Sequence, residues 1–483
     1  MIIKDFAYTG LMKYFEEISA IPRVSYKEEK IADYLCDFAV ARGLEYYRDA
    51  YNNVLINAPA SAGMESAPAI LLQGHTDMVC EKNEGVEHDF DKDGLKLYEE
   101  DGWVKAEGTT LGADNGVAVA TMLYVLDGGV ARHGAIQCLF TASEEVGLDG
   151  AQSFDYSRIY ARRMINMDSA DEELIIVGCA GGMRSNLSFE VKGEEINAHV
   201  LVKVTVKGLM GGHSGEDIDK GRANANKLMA RLLDSLMNDV TVGARIVSVY
   251  GGSKDNAIPR ECEAVLAISD LARFENVVID MGLKLRDGIS AYDDNLMVGI
   301  KLIDKNTTVI CPDAATARKL VDLVVCVPNG VFEMNYNVNG IVEWSRNLGV
   351  LKLDATHAEC VFASRSSFES RIDASGEQLD AFARLCGATV RHYNRYPGWN
   401  FAEVSPLRDA WSASCNKILG KIPEVLAIHA GLECGFIKQA VPDMDIISVG
   451  PVILNLHSPD ERLDKKSFER FYTIVKDVIE NNK

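Results

Sequence analysis

Several ionisable residues stand directly after short apolar segments, where open α/β sheets usually carry their functional groups. The segment LLQGHTDMV places His75 and Asp77 two residues apart, so both side chains project from one face of an extended chain. His75 can offer one imidazole nitrogen to a metal ion while Asp77 accepts a hydrogen bond from the other nitrogen. Taken alone, this pair is explained equally well by an ordinary structural histidine.

Four further residues repeat this arrangement along the chain. Asp114 lies in a glycine-flanked turn before a helix, in GTTLGADNGVAVA, where an N-cap is the ordinary explanation. Glu144 and Glu145 follow the apolar segment that precedes TASEEVG, and two adjacent carboxylates repel unless a cation or distinct roles separate them. Asp168 follows another such segment, in NMDSADEE. As loop residues they would mean little, but the ordered series indicates a metal site.

The last member of the series is His457, which follows an apolar segment in ILNLHSPDERL near the end of the chain. A loop histidine is again the ordinary explanation. The full order of His, Asp, Glu and Asp groups closed by a late His is hard to explain as a solvated surface.

The first third of the chain alternates helix and strand patterns, which predicts an α/β domain. Ser25 is a candidate N-cap for a helix that ends near Gly43. Residues 69–73, 135–142 and 163–167 are apolar strand patterns, and residues 116–126 are a buried helix pattern. The predicted metal-binding residues therefore follow the strands of one sheet.

From His199 the pattern changes to period-two strands and amphipathic helices, which indicates an antiparallel sheet covered by helices. A similar succession recurs from about residue 298 to 395, and the final segment returns to the first pattern. We therefore predict a discontinuous catalytic domain, residues 1–190 and 396–483. The inserted domain, residues 191–395, would contain two related α+β halves.

Composition excludes several classes of function. The net charge of −21 over 483 residues disfavours nucleic acid and anionic membrane surfaces as partners. The eleven cysteines form no C-x-x-C pair, and Cys36, Cys138 and Cys326 lie in apolar runs, so we expect reduced core residues. No apolar run approaches the roughly 18 residues of a membrane span, and the N-terminus has no signal-peptide pattern. These features predict a cytoplasmic location.

The order GHTDMV, GADNG, EEVG, MDS, GGHSG and LHSPDE resembles the aminoacyl-histidine dipeptidases, relatives of carnosinase, aminoacylase and carboxypeptidase G. The resemblance spans nearly the whole chain. It implies a zinc-exopeptidase-like catalytic domain with a mixed sheet and an inserted α+β lid domain.

The resemblance also implies the cofactor, two divalent metal ions, with zinc as the expected metal and cobalt or manganese able to replace it. Asp114 would bridge the ions, and the other ligands would be His75 and Asp168 for one ion and Glu145 and His457 for the other. Glu144 would be the general base, Asp77 would support His75, and the peptide bond after Asp114 would be cis.

Substrate-binding residues are implied mainly in the insertion. His213, in GLMGGHSGEDI, would donate a hydrogen bond to the oxyanion, and Asn256 would help to position the substrate. Arg365 resembles the arginine that binds the C-terminal carboxylate, although a surface ion pair is an alternative. His429 and Glu433, in HAGLECG, stand at helical i, i+4 spacing and would support the site or contact substrate.

The predicted function is hydrolysis of Xaa-His dipeptides, such as β-alanyl-histidine, and of other dipeptides by attack of a hydroxide that bridges the metals. The small dipeptide is the expected partner. An amidohydrolase acting on N-acyl amino acids or tripeptides is the first alternative, and a non-catalytic binding protein is the second. A homodimer and a monomer whose doubled insertion mimics a dimer both remain open.

Overall fold

The computed structural model describes residues 2–289, 293–336 and 340–482. The chain forms two compact units. Unit 1 comprises Met1–Cys179, Trp399–Ala427 and Leu432–Lys483, and unit 2 comprises Ala180–Gly398 and Ile428–Gly431. The main division thus lies at residues 179/180 and 398/399, where the sequence patterns place it at 190/191 and 395/396.

The helices and strands are numbered here in chain order. The helices are α1 Thr9–Ser19, α2 Glu29–Arg42, α3 Ala113–Tyr124, α4 Asp149–Ser153, α5 Ala225–Asn238, α6 Leu271–Asp287, α7 Ala314–Cys326, α8 Glu369–Cys386, α9 Pro406–Leu419, α10 Cys434–Ala440 and α11 Lys465–Glu480. The strands are β1 Glu45–Arg48, β2 Val54–Ala58, β3 Ile70–His75, β4 Leu97–Glu100, β5 Trp103–Ala106, β6 Ile136–Thr141, β7 Arg163–Asn166, β8 Leu174–Cys179, β9 Gly181–Ser188, β10 Gly193–Lys207, β11 Gly212–His213, β12 Arg245–Gly251, β13 Ala257–Ile258, β14 Cys262–Ile268, β15 Met297–Pro312, β16 Gly330–Met334, β17 Val342–Leu353, β18 Ala358–Ser366, β19 Thr389–Tyr396, β20 Glu424–Ile428, β21 Asp445–Ser448, β22 Ile453–Leu454 and β23 Arg462–Asp464.

Unit 1 is built on an eight-stranded mixed sheet in the order β1-β2-β6-β3-β7-β21-β8-β20. Strands β6, β3, β7 and β21 run parallel to one another, whereas the pairs β1–β2, β2–β6 and β21–β8 are antiparallel. Every residue of β3 and β6 is buried, as expected of parallel strands covered on both faces. The predicted α/β class with a mixed sheet is confirmed.

Helix α2 confirms one predicted end and corrects the other. Gly43 follows its last turn with φ 64°, the left-handed conformation that ends many helices. The prediction of Ser25 as the N-cap is wrong, because the helix begins at Glu29 and Glu28 precedes it. The Ser25 hydroxyl instead donates to the carboxylate of Asp77 at 2.7 Å.

Unit 2 is built on a nine-stranded sheet in the order β15-β10-β14-β12-β17-β18-β9-β19, with β16 paired to β17. The described ladders of this sheet are antiparallel, as the period-two patterns predict. Alternate residues of β10, such as Val202 and Val204, share an apolar core with Leu232 and Leu233 of α5. The strands from both parts of the insertion therefore belong to one sheet.

The cysteines are all free, and seven of the eleven are buried. Cys138 lies in the core of unit 1 and Cys36 is half-buried, whereas Cys326 is exposed. The prediction of a core position is wrong for Cys326, because it is the last residue of α7. Within the described part of the chain, none of the helices has the length and apolar composition needed to cross a membrane.

Candidate metal centre

The carboxyl ends of three parallel strands bring the predicted metal-binding residues together. His75 is the last residue of β3, Glu144 and Glu145 follow β6, and Asp168 follows β7. Because β3 lies between β6 and β7 and runs parallel to both, these side chains emerge at the same edge of the sheet. Strand order thus explains why residues so far apart in sequence meet.

Asp114 lies between two histidines and offers one carboxylate oxygen to each. Its Oδ1 is 3.0 Å from Nε2 of His75, and its Oδ2 is 3.2 Å from Nε2 of His457. The peptide bond between Asp114 and Asn115 is cis, as the resemblance implies. A carboxylate that faces two separate ligand groups is suited to bridging two metal ions.

The remaining ligands complete two groups that share Asp114. Oδ1 of Asp168 lies 3.6 Å from Nε2 of His75, and Oε2 of Glu145 lies 3.2 Å from Nε2 of His457. In each group the donor atoms lie within 4.8 Å of one another. Among the described residues Oε1 of Glu145 is buried without a hydrogen-bond partner. Imidazoles and carboxylates in this arrangement fit two zinc, manganese or cobalt ions.

Asp77 orients the imidazole of His75 and the turn that carries the glutamates. Nδ1 of His75 lies 3.1 Å from the carbonyl oxygen of Asp77 and 3.4 Å from its Oδ1. The backbone N–H groups of Glu144 and Glu145 donate to its carboxylate at 3.0 and 3.2 Å. Although burial opposes ionisation, these hydrogen bonds and His75 lower the pKa of Asp77. Asp77 therefore remains an anion in the core.

The Glu144 side chain has no ion pair with a described residue, whereas Oε2 of Glu145 lies 3.2 Å from Nε2 of His457. The Glu144 carboxylate lies within 4.8 Å of donor atoms of His75 and Glu145. Burial, together with Asp168, Glu433 and Glu145, raises the pKa of Glu144 well above its ordinary value, although His75 opposes the shift. An unengaged carboxyl group with a raised pKa is suited to accepting a proton near neutral pH.

The charges of the ligands are strongly perturbed. Burial opposes protonation of His75, yet Asp168 and Asp114 raise its pKa well above the usual value. Hydrogen bonds to Asp114 and Glu145 raise the pKa of His457 to about 10. Burial raises the pKa of Asp168. Bound divalent cations would reverse this balance, because they favour neutral imidazole and ionised carboxylate.

Three residues near this centre are absent from the sequence-based prediction. The Asn115 amide donates to Asp168 at 3.0 Å, and the fully buried Arg23 and Glu461 bind the backbone around Asp114. Glu461 belongs to the same LHSPDE motif as His457, and Asn115 belongs to GADNG. Asn115 and Glu461 could therefore have been predicted from these motifs, whereas nothing in the sequence around Arg23 distinguishes it.

Unit 2 contains four of the predicted substrate-binding residues. Arg365 is buried and donates to the Tyr396 hydroxyl at 2.7 Å, and its Nε has no partner among the described residues. Burial lowers the pKa of His429 to about 3 and that of His213 below its usual value, and Arg365 contributes to both shifts. The backbone of Asn256 accepts a hydrogen bond from Ser214, next to His213, at 2.8 Å. These residues form one polar group in unit 2.

Glu433 belongs instead to unit 1. Its side chain is fully buried and accepts hydrogen bonds from Gln73 at 2.5 Å and Thr141 at 2.7 Å. The predicted helical spacing with His429 is wrong, because α10 begins only at Cys434. Burial raises the pKa of Glu433 to about 7. Of its two predicted roles, this position favours support of the site over contact with substrate.

Comparison with known proteins identifies a family and relatives that match along nearly the whole chain. The family described as "Peptidase family M20/M25/M40" matches residues 71–481. The cytosol non-specific dipeptidase of Escherichia coli (strain K12) is 35% identical over 479 residues, which cover 97% of this chain and 96% of that protein. The aminoacylhistidine dipeptidase of Vibrio alginolyticus superimposes with a TM-score of 0.91 at 33% identity, covering 99% of this chain and 97% of that one.

A more distant structure shares the fold alone. The aminopeptidase PepT of Bacillus cereus ATCC 10987 matches with a TM-score of 0.56 at 17% identity, covering 98% of both chains. At this identity the match shows only that the two proteins share a fold.

Proposed function

Because this chain belongs to peptidase family M20/M25/M40, we propose that it is a dipeptidase that uses two divalent metal ions, zinc in the first instance. Asp114 would bridge the ions, with His75 and Asp168 on one side and Glu145 and His457 on the other. The observation that carries this proposal is the division of the two Asp114 oxygens between two histidines, at 3.0 and 3.2 Å.

The chemistry divides between the cofactor and the protein. Two bound divalent ions would polarise the scissile carbonyl and lower the pKa of a water from about 15.7 toward about 7. Glu144 takes the proton from the attacking water and then delivers it to the leaving amine. Asp77 holds His75 in one orientation, since it accepts from Nδ1 and leaves Nε2 directed at Asp114.

Unit 1 is the catalytic domain in this proposal and unit 2 is the lid domain. His213 donates a hydrogen bond to the developing oxyanion, and Arg365 binds the substrate carboxylate. The unpartnered Nε of Arg365 supports this role, because a buried guanidinium donor favours a bidentate anion. Asn256 and His429 help to position the substrate. The low pKa of His429 keeps its imidazole neutral beside Arg365.

The substrate class is the dipeptides, with Xaa-His dipeptides such as β-alanyl-histidine among them. Two relatives support this class, one named a non-specific dipeptidase and the other an aminoacylhistidine dipeptidase. N-acyl amino acids and tripeptides are the competing substrates, because the same metal centre can cleave any suitably placed amide.

The test combines metal analysis with a substrate panel. The purified protein is expected to contain two divalent ions per chain and to hydrolyse β-alanyl-histidine and other dipeptides faster than N-acetyl amino acids or tripeptides. Chelation should abolish hydrolysis, and zinc, cobalt or manganese should restore it. Full activity after exhaustive chelation would contradict the metal-dependent mechanism, and preferential cleavage of acetylated amino acids would change the substrate class.

Location and oligomeric state complete the proposal. The chain acts in the cytoplasm, in line with the name of its Escherichia coli relative. It forms a homodimer through the outer edge of β15, which no described strand covers. Ile300 and Leu302 are exposed on this strand, and Ile279 and Leu283 are exposed on α6. Long edge strands with exposed apolar side chains are rarely left unpaired.

Light scattering tests the homodimer. The protein should have twice the mass of one chain, and Leu302→Lys should reduce it to a monomer. A parent protein of single-chain mass would contradict this part of the proposal.

A further inference from the structure

Two buried residues of opposite charge bind the backbone on either side of the turn that carries Asp114. Arg23 and Glu461 are 2% and 3% exposed. The hydrogen bonds of both side chains go to backbone groups, and the proposed mechanism gives neither residue a role. Burying an ionised group is costly unless its hydrogen bonds are satisfied, which makes their contacts informative.

Glu461 gathers the backbone N–H groups of four consecutive residues. Its Oε2 accepts from Leu111 at 2.8 Å and Gly112 at 2.9 Å, and its Oε1 accepts from Ala113 at 2.9 Å and Asp114 at 3.3 Å. Glu461 also lies in the loop that carries His457. The carboxylate therefore ties the His457 loop to the Asp114 turn.

Arg23 ties the same turn to the segment that carries the other histidine. Its Nη2 donates to the carbonyl of Gly112 at 2.5 Å, and its Nη1 donates to the carbonyls of Thr76 and Asp77 at 3.1 and 3.2 Å. Gly112 has φ 62°, and a Cβ there would collide with the Arg23 guanidinium and Met78. The glycine of this turn thus admits the arginine.

The two residues together hold both histidine segments on one turn. His75 and His457 each approach a different oxygen of Asp114, so the position of each segment relative to that turn determines where each metal would bind. We propose that Arg23 and Glu461 are positioning residues that set the spacing of the two metal ions. Their charges offset each other, so the paired contacts add no net charge to a site already rich in carboxylates. This inference rests on the proposed metal centre.

The test is metal affinity in Glu461→Gln. The amide oxygen can still accept two of the four N–H groups, but the amide NH₂ faces the other two. We expect the affinity for at least the ion bound by His457 to fall about 10- to 100-fold, the usual effect of losing a residue that orients metal ligands. Competition with a chromophoric chelator measures the affinity and the number of ions bound, and urea unfolding of the metal-free protein measures stability.

A matched control separates positioning from stability. The Asp445 carboxylate also accepts hydrogen bonds, from the Ser405 hydroxyl at 2.5 Å and from the backbone N–H of Leu407 at 2.8 Å. It begins β21, at the opposite end of the sheet from the metal centre. Asp445→Asn should lower stability and leave metal affinity unchanged.

Arg23→Lys provides a second variant, because a lysine keeps the charge but lacks the fork that reaches three carbonyls. Its metal affinity should also fall. Unchanged affinity for two ions in either folded variant would overturn the inference. The inference would also be overturned if metal-free Glu461→Gln and Arg23→Lys both unfolded under conditions where Asp445→Asn folds, because Glu461 and Arg23 would then serve the stability of the fold. A parent protein that binds no metal would instead contradict the proposed function.

Discussion

Replacing Asp77 with asparagine should weaken metal binding and the fold by similar amounts. The carboxylate accepts from Ser25 and the Glu145 N–H on Oδ2 and from the Glu144 N–H on Oδ1, with Nδ1 of His75 nearby. An asparagine can keep its oxygen at the Oδ1 position. The Ser25 hydroxyl can then turn to accept from the amide, which leaves only the Glu145 N–H without a partner.

The expected magnitudes follow from that count. One buried N–H without a partner costs about 1–3 kcal/mol of unfolding free energy. The imidazole of His75 also loses its anionic neighbour, which should reduce metal affinity about 10- to 100-fold, or about 1.4–2.8 kcal/mol at 1.4 kcal/mol per tenfold. Chelator competition measures the second quantity, and urea unfolding of the metal-free protein measures the first.

Ser25→Ala is the matched control for this variant. It removes one hydrogen bond from Asp77 but preserves the negative charge beside His75. We expect a loss of about 1 kcal/mol in stability and little change in metal affinity. Unchanged metal affinity in Asp77→Asn, or an equal loss in both variants, would refute the assignment of Asp77 as the residue that orients His75.

Three further changes separate chemistry, ionisation and packing. Glu144→Gln should keep both metal ions and lose about 10²- to 10⁴-fold in kcat, whereas Glu145→Gln should lose a metal ion. Kinetics and metal analysis measure these two effects. A Glu144→Gln variant that stayed active would contradict the general-base role. The pKa of Glu433 is raised from 4.5 to about 7, so its ionisation favours the unfolded state and stability should fall as pH rises between these values, then stay level. Glu433→Gln removes this loss. In urea unfolding of the metal-free proteins, the variant should be more stable than the parent by about 3 kcal/mol above pH 7 and little different below pH 4.5. A stability difference that does not depend on pH would contradict the raised pKa. Lys227 donates to the carbonyls of Val324, Val325 and Val327 at the end of α7. Lys227→Met should therefore lower the free energy of unfolding by about 1–3 kcal/mol without changing the metal content. Loss of metal in this variant would show that the two units do not respond independently.

The central part of the fold was predictable because its pattern is local. Strands β3 and β6 are short apolar runs, fully buried as parallel strands require, and the residues that follow them are the polar ones. Once these strands and β7 lie side by side, the meeting of His75, Glu145 and Asp168 follows from topology. The turn at Ser25 was less predictable, because its hydroxyl is used by Asp77, which is distant in sequence.

The metal ligands and their supports differ in how far sequence can reveal them. His75, Asp114 and His457 lie in recognisable motifs, since imidazole and carboxylate donors are required by type. Arg23 acts on carbonyl oxygens, which every residue possesses. Its partners therefore leave no mark in the sequence except Gly112, whose left-handed φ and missing Cβ make room for the guanidinium.

His429 and Glu433 do not share a helix, although their spacing predicts one. Their spacing fits one helical face, but the chain between them is not helical and passes from unit 2 into unit 1. Glu433 then lies against Gln73, which leads into His75 along β3, and Gln73 in turn accepts from Asn166, which leads into Asp168 along β7. A buried carboxyl group with a pKa of about 7 is thus linked by hydrogen bonds to the strands that hold two metal ligands. This link accounts for its burial better than substrate contact does, because a substrate-binding carboxylate would need to remain accessible.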